Sequence, residues 1–165
     1  MLTALKLNYR TQTQKFNATV GLMAALVRRY RWNPQIRETA LNVIRRAGVQ
    51  ERDVAGEIRA LYDFVNNSIK FRGDVRDVET LQTPDITLRV GAGDCDDKSV
   101  ILNTLLESVG RKTRFQTISQ NNRRKFTHVL SQVYFNGQWI SLETTRRVPM
   151  GDGPTLYTRS AYYEY

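Results

Sequence analysis

The sequence has one cysteine, one histidine, four prolines and no long apolar run among its 165 residues. A lone cysteine forms no internal disulfide, and one Cys with one His falls short of the N/S ligand set of a structural zinc site. Disulfide scaffolds and zinc fingers are therefore excluded. No stretch approaches the roughly 20 apolar residues of a membrane span. Met1 to Arg10 alternates apolar and polar types, without the apolar core of a secretory signal. These absences lead us to expect a protein of a reducing compartment, with no membrane association, no cofactor and no bound metal.

What is present is an ordinary globular composition, 41% apolar and 10% aromatic, in a length suited to one domain spanning 1–165. Charge is the strong global signal: 25 Lys+Arg against 16 Asp+Glu give +9. A polyanion such as nucleic acid is a possible partner for such a chain. The cations are dispersed, however, over Arg28, Arg29 and Arg31, over Arg45 and Arg46, over Arg123, Arg124 and Lys125, and over Arg146 and Arg147. No nucleic-acid motif accompanies them, and solvated helix ends and loops account for them more simply.

The first half reads as helical. Asn17 to Tyr30 carries Val20, Met23, Ala24 and Val27 at helical spacing. Asn33-Pro34 is a cap followed by a favoured first residue, opening a helix over Pro34 to Ala47 with Ile36, Ala40, Leu41 and Ile44 inward and Gly48 as its stop. A third helix starts near Asp53 with Val54, Ile58, Leu61, Tyr62, Val65 and Ile69 on one stripe. From Asp74 to Gly93 no period holds, which predicts a long connection feeding a functional site. Asp94 to Gly110 has so wide an apolar face that it is expected to be a buried central helix.

After Gly110 the period changes to two. Strands are expected over Arg114–Ile118, Phe126–Phe135 and Gln138–Thr145, with a polar basic loop at Asn121–Lys125 and a closing strand or docked tail over Leu156–Tyr165. Asn136-Gly137 is a strong hairpin signal. A two-residue turn there pairs Phe135 with Gln138, which sets Leu130 opposite Glu143 and His128 opposite Thr145. His128 and Glu143 then become diagonal neighbours on one face, roughly 7–8 Å apart and within reach of a hydrogen bond. A slip of one residue would put them on opposite faces.

Cys95 stands at the start of the central helix, where backbone N–H groups favour a thiolate, while Asp94, Asp96 and Asp97 disfavour a second negative charge. Sequence does not decide which effect wins. Those acids lack the spaced pattern of a calcium loop and serve better as helix caps. Nucleophile, imidazole and carboxylate are the groups that covalent acyl transfer requires.

Gly93-Asp94-Cys95-Asp96-Asp97-Lys98, the Leu-rich helix ending in Gly110, His128-Val129 entering a strand, and Gly137-Gln138-Trp139-Ile140-Ser141-Leu142-Glu143 together resemble the transglutaminase-like superfamily of papain-fold thiol enzymes. The similarity covers about Ile58 to Thr145, and Glu79 to Pro84 is similar to members carried by tailed bacteriophages and prophages. The resemblance implies an α+β, papain-like/transglutaminase-like fold. In it, N-terminal helices over 1–50 would extend a 58–145 catalytic core, whose nucleophile helix packs on an antiparallel sheet. It implies Cys95 as nucleophile, His128 as general acid/base and Glu143 as orienting carboxylate, where the family more often has Asp followed by a Pro-containing turn. The Cys95 N–H is expected to donate to the oxyanion, with Gln82 as a candidate second donor. The expected activity is acyl transfer on protein amides, hydrolytic or cross-linking, with a protein or peptide substrate and phage structural proteins as partners. The expected setting is the bacterial host cytoplasm or the virion. The alternative is a catalytically silent virion or assembly protein that uses the same fold as a scaffold and meets partners through its basic surface.

Overall fold

A computed structural model describes residues 12–73, 80–119, 126–154 and 159–165. Three helices come first: α1 (Gln12–Tyr30), α2 (Pro34–Arg46) and α3 (Val54–Ser68). They are followed by β1 (Lys70–Phe71), α4 (Pro84–Val90), β2 (Ala92–Gly93) and α5 (Cys95–Ser108). Four strands complete the chain: β3 (Thr113–Ser119), β4 (His128–Phe135), β5 (Gln138–Leu142) and β6 (Arg159–Tyr163). The architecture is a mixed helical layer on an antiparallel sheet of order β5-β4-β3-β6.

Local signals explain the helix boundaries. Asn33 caps α2 by accepting the N–H groups of Gln35 and Ile36, and Asp53 caps α3 by accepting that of Gly56. Ile36 and Ala40 of α2 are buried as the spacing requires, but Leu41 is 40% exposed and lies outside the core. The apolar stripe of α2 is narrower than its composition suggests.

The segment read as one connection from Asp74 to Gly93 is corrected by the structure. Its described part contains α4, opened by Pro84 in the first turn and closed by Gly91 in the left-handed conformation, and then β2. β2 pairs in parallel with β1, Lys70 with Ala92 and Phe71 with Gly93. A seven-residue helix completes barely two turns, so too few of its residues are inward to show a period. The basic loop at Asn121–Lys125 lies outside the described residues.

α5 is the centre. Ile101, Leu102, Leu105 and Leu106 meet α2, α3, Val133 and Leu142 in one cluster. Val100 meets Val20, Met23, Ala24 and Val27 of α1 with Phe115 and Val129 of the sheet in another. α1 and α2 thus contribute directly to the packing around the central helix. Each fully buried aliphatic side chain here contributes about 1.5–3 kcal/mol through loss of water contact.

The β4–β5 register runs from Phe135↔Gln138 to Ser131↔Leu142, as the two-residue turn requires. Asn136 and Gly137 both have positive φ, 49° and 80°, which matches a type I′ turn. The strands end sooner than expected: β4 begins at His128 and β5 stops at Leu142, leaving Glu143 just beyond the ladder. The last residues form β6, paired antiparallel to β3 on the outer edge. Because Leu105 is fully buried and Leu41 is not, Leu105→Ala should cost about 2–5 kcal/mol in urea unfolding, and Leu41→Ala should stay within about 0.5 kcal/mol.

Candidate active site

Cys95 is the first residue of α5, and the turn before it is tightly determined. The Asp94 carboxylate accepts the N–H groups of Asp96 (2.9 Å) and Asp97 (3.1 Å), while Asp97 accepts the Asp94 N–H at 3.4 Å, completing a reciprocal capping box. Asp97 is buried and has a second task. Its Oδ1 accepts the Gln82 backbone N–H at 2.8 Å and its Oδ2 accepts the Gln82 carboxamide at 2.7 Å. The same carboxamide donates to Ala92 O at 3.2 Å. Both amide hydrogens of Gln82, the candidate second oxyanion donor, are thus engaged within the protein, where they clamp the chain before Cys95. Gly93 makes this possible, since a Cβ there would lie 2.5 Å from Asp97 Cβ.

The thiol itself is half-buried against the α1–sheet cluster. Its Sγ lies 3.4 Å from Asp96 Oδ1. Burial, followed by the charges of Asp96 and Asp94, pushes the thiol well above its ordinary range, and a hydrogen bond from the Val129 backbone opposes them only in part. Of the two effects weighed from the sequence, burial and the acidic neighbours outweigh the backbone N–H groups and push the thiol upward.

Val129 follows His128, so this contact places the start of β4 beside the start of α5. Two further bonds hold the same junction: Ser99 Oγ to Val129 O at 3.5 Å and Ser131 Oγ to Ser99 O at 3.2 Å. His128 Nε2 lies 2.6 Å from Glu143 Oε2, and Glu143 is only 1% exposed. The other carboxylate oxygen accepts the Thr145 N–H at 2.7 Å and its hydroxyl at 2.6 Å. Burial alone would raise Glu143; the hydrogen bond and charge of His128, with the bonds from Thr145, outweigh it and hold the carboxyl below its ordinary value. With Nε2 given to Glu143, the ring nitrogen left over is Nδ1.

Two residues of this neighbourhood are assigned no individual role from the sequence. Tyr62 reads as part of an apolar stripe, yet its hydroxyl lies 2.7 Å from both Glu143 O and Val148 O and fixes the chain behind the carboxylate. Lys98, the last residue of the Gly93–Lys98 motif, is 1% exposed, and its ammonium donates to Val65 O and Ile69 O.

Asp94, Cys95 and Asp96 each bring one potential ligand atom within 4.8 Å of the others. Calcium takes six to eight oxygens, so three donors including a sulfur do not make a calcium cage. Asp94 acts instead as the cap of α5, and Asp94 and Asp96 add to burial in raising the thiol's pKa.

The sign of the pH dependence follows. Glu143, lowered on folding, contributes stability that is complete above its unfolded value of about 4.3 and is lost as pH falls through the folded value. Cys95, raised on folding, contributes stability that is complete below about pH 8.5 and is lost as pH rises from there. Urea titrations across pH should therefore show the alkaline decline reduced in Cys95→Ala and the acid decline reduced in Glu143→Gln.

A family model for the transglutaminase-like superfamily matches residues 37–144. Comparison with curated proteins finds no match. Among solved structures, the chain is similar to a candidate cysteine protease from Cytophaga hutchinsonii, with TM-score 0.59 and 20% identity over 81% of this chain and 44% of that one. It is also similar to a candidate protease from Parabacteroides distasonis, with TM-score 0.59 and 12% identity over 76% of this chain and 26% of that one. Calcium-bound LapG of Legionella pneumophila gives TM-score 0.59 and 17% identity over 88% of this chain and 87% of that one. The chain thus spans less than half of the first two structures and most of the third. At these identities the likeness shows the fold. With the family match covering the central helix, the hairpin and the turn that bears Glu143, the chain belongs to the transglutaminase-like superfamily.

Proposed function

We propose that the chain is a thiol-dependent acyl-transfer enzyme acting on protein amides, with hydrolysis as its reaction, so that it is a cysteine peptidase or amidase. The observation that carries this reading is the 2.6 Å pair of His128 Nε2 and Glu143, held at the strand end that also touches Cys95. Glu143 stands just past β5, which stops at Leu142.

In the proposed mechanism the neutral thiol of Cys95 gives its proton to His128 Nδ1 as sulfur attacks the amide carbon. The Cys95 N–H, unpaired by position in the first turn of α5, donates to the oxyanion. Glu143 holds the imidazole in the tautomer with hydrogen on Nε2 and stabilises the imidazolium. His128 then returns the proton to the leaving amine as the C–N bond breaks, leaving a thioester on Cys95. Water, deprotonated by His128, resolves the thioester to a carboxylic acid and free thiol. An amine in place of water would give cross-linking. Because burial and its acidic neighbours disfavour the thiolate, the attack in this mechanism relies on the base.

The named proteases among the structural neighbours support a protein or peptide substrate. The resemblance of residues 79–84 to phage-borne members supports a phage or prophage origin, with phage structural proteins as partners. Nucleic acid has weaker support. Arg31 is paired with Glu107 at 3.3 Å and lies over Trp32, and Arg45 donates to Asn42, so these cations are engaged within the protein. Among the described residues no helix is long and apolar enough to cross a membrane.

The test is mass spectrometry of candidate protein substrates treated with wild type, Cys95→Ala, His128→Ala and Glu143→Gln. Wild type should cleave an amide or deamidate a Gln. Cys95→Ala should do neither, and His128→Ala should lose about 10²–10⁴-fold in rate. Iodoacetamide alkylation of Cys95 should be slow below pH 8 and slower still in His128→Ala. A thiol indifferent to His128, with no product in any substrate, would leave the silent scaffold as the better account.

A further inference from the structure

Glu143 stands one residue past the end of β5, so strand pairing stops before it, yet the proposed chemistry depends on where its carboxylate points. Its backbone is held from α3. The buried Tyr62 hydroxyl lies 2.7 Å from both Glu143 O and Val148 O, and it accepts from Asn66 Nδ2 at 3.5 Å. The chain between residues 143 and 148 is thereby closed into a loop, since both of its ends meet one oxygen atom.

A fixed backbone does not fix a glutamate. The side chain turns about several bonds, and burial at 1% exposure removes water without choosing among rotamers. Among the described residues, hydrogen bonds reach the carboxylate from His128 and Thr145 only. Thr145 gives two, its N–H at 2.7 Å and its hydroxyl at 2.6 Å, and both go to Oε1. Oε2 is then the oxygen left for the imidazole, 2.6 Å from His128 Nε2. The Thr145 hydroxyl has no other hydrogen-bond partner among the described residues, so its proton is directed wholly at this carboxylate. A backbone N–H can only donate, so a hydrogen on Oε1 would confront it, and the ionised carboxylate is the form that this arrangement suits. Burial would raise the carboxyl, and the bonds from His128 and Thr145 outweigh it.

We propose that Thr145 is a positioning residue that acts through Glu143: its N–H and hydroxyl pin Oε1, which turns Oε2 to His128 Nε2 and leaves Nδ1 as the nitrogen that serves as base. The inference rests on the reading of Glu143 as the orienting carboxylate. Without the hydroxyl, one charge-assisted bond is lost and the carboxylate is freer to turn about its last bond, away from the ring. Serine supplies the same hydroxyl as threonine, whereas valine matches the shape of threonine and supplies none.

His128 is the only histidine of the chain, so its ring protons are identified without assignment. In wild type the Nε2 proton, bonded to a carboxylate, should give a slowly exchanging NMR resonance far downfield of the amides. In Thr145→Val, with folding checked by circular dichroism, that resonance should move upfield or be lost to exchange, and in Thr145→Ser it should remain. Where a substrate is cleaved, kcat should fall about tenfold in Thr145→Val with KM unchanged. A wild type without the resonance, a folded Thr145→Val that keeps it unshifted, or a Thr145→Ser that loses it would each overturn the inference. If Thr145→Val does not fold, wild type decides: as acid protonates Glu143, the Thr145 amide and the Nε2 proton should shift at one midpoint, and separate midpoints overturn the inference. The two readings fail separately. An absence of turnover alongside a resonance that follows the Thr145 hydroxyl would remove the enzyme and keep the positioning, whereas turnover with a resonance indifferent to Thr145 would do the reverse.

Discussion

A helix enclosed on every side must find protein partners for its polar groups, and the enclosure of α5 sets most of the remaining structure. Its apolar residues tie two core clusters together. Its polar residues then act as fasteners, because no water competes for them. Asp97 holds Gln82, Lys98 holds the end of α3, Ser99 meets β4, and Asn103 donates to Arg114 O on β3. Further along, Glu107 accepts the Thr113 N–H and pairs with Arg31 from the end of α1. The N-terminus of the helix is thereby fixed against the sheet end that carries His128. The position of the thiol is a by-product of satisfying a buried helix.

Much of this was legible in the residues themselves, for reasons of periodicity. Asn136-Gly137 between two alternating runs determined the hairpin, and with it the diagonal approach of His128 and Glu143, because a side-chain period of two makes register and face the same question. The long helices showed their buried stripes for the corresponding reason at 3.6 residues. α4 did not, being short and bounded by signals that also mark turns. The β1–β2 pair joins segments twenty residues apart through two residues on each side, too few for any alternation. The burial of Lys98 was invisible for a different reason: its ammonium is held by Val65 O and Ile69 O, which lie far from it in the chain.

Electrostatics at the site depends on where each acid points. Four carboxylates lie close to Cys95 or His128, yet they do unlike things. Asp94 and Asp97 complete a cap, Asp96 faces the sulfur, and Glu143 faces the imidazole. The net effect is to disfavour charge on the thiol and to favour it on the carboxylate partner of His128. Burial is the largest cause in both cases, and the two groups differ in what surrounds them: acids beside the sulfur, hydrogen-bond donors beside the carboxylate.

The separation of the site residues along the chain has a consequence for assembly. His128 and Glu143 are fifteen positions apart and linked by a tight turn, so their half of the site belongs to a unit that closes on its own in roughly 1–10 μs, the time of an isolated hairpin. Cys95 joins from another element only when α5 docks. The imidazole–carboxylate half is therefore local in the chain, whereas the thiol arrives with the tertiary structure. A partly folded chain can hold the imidazole–carboxylate pair without a thiol beside it, and the three groups come together only in the completed fold.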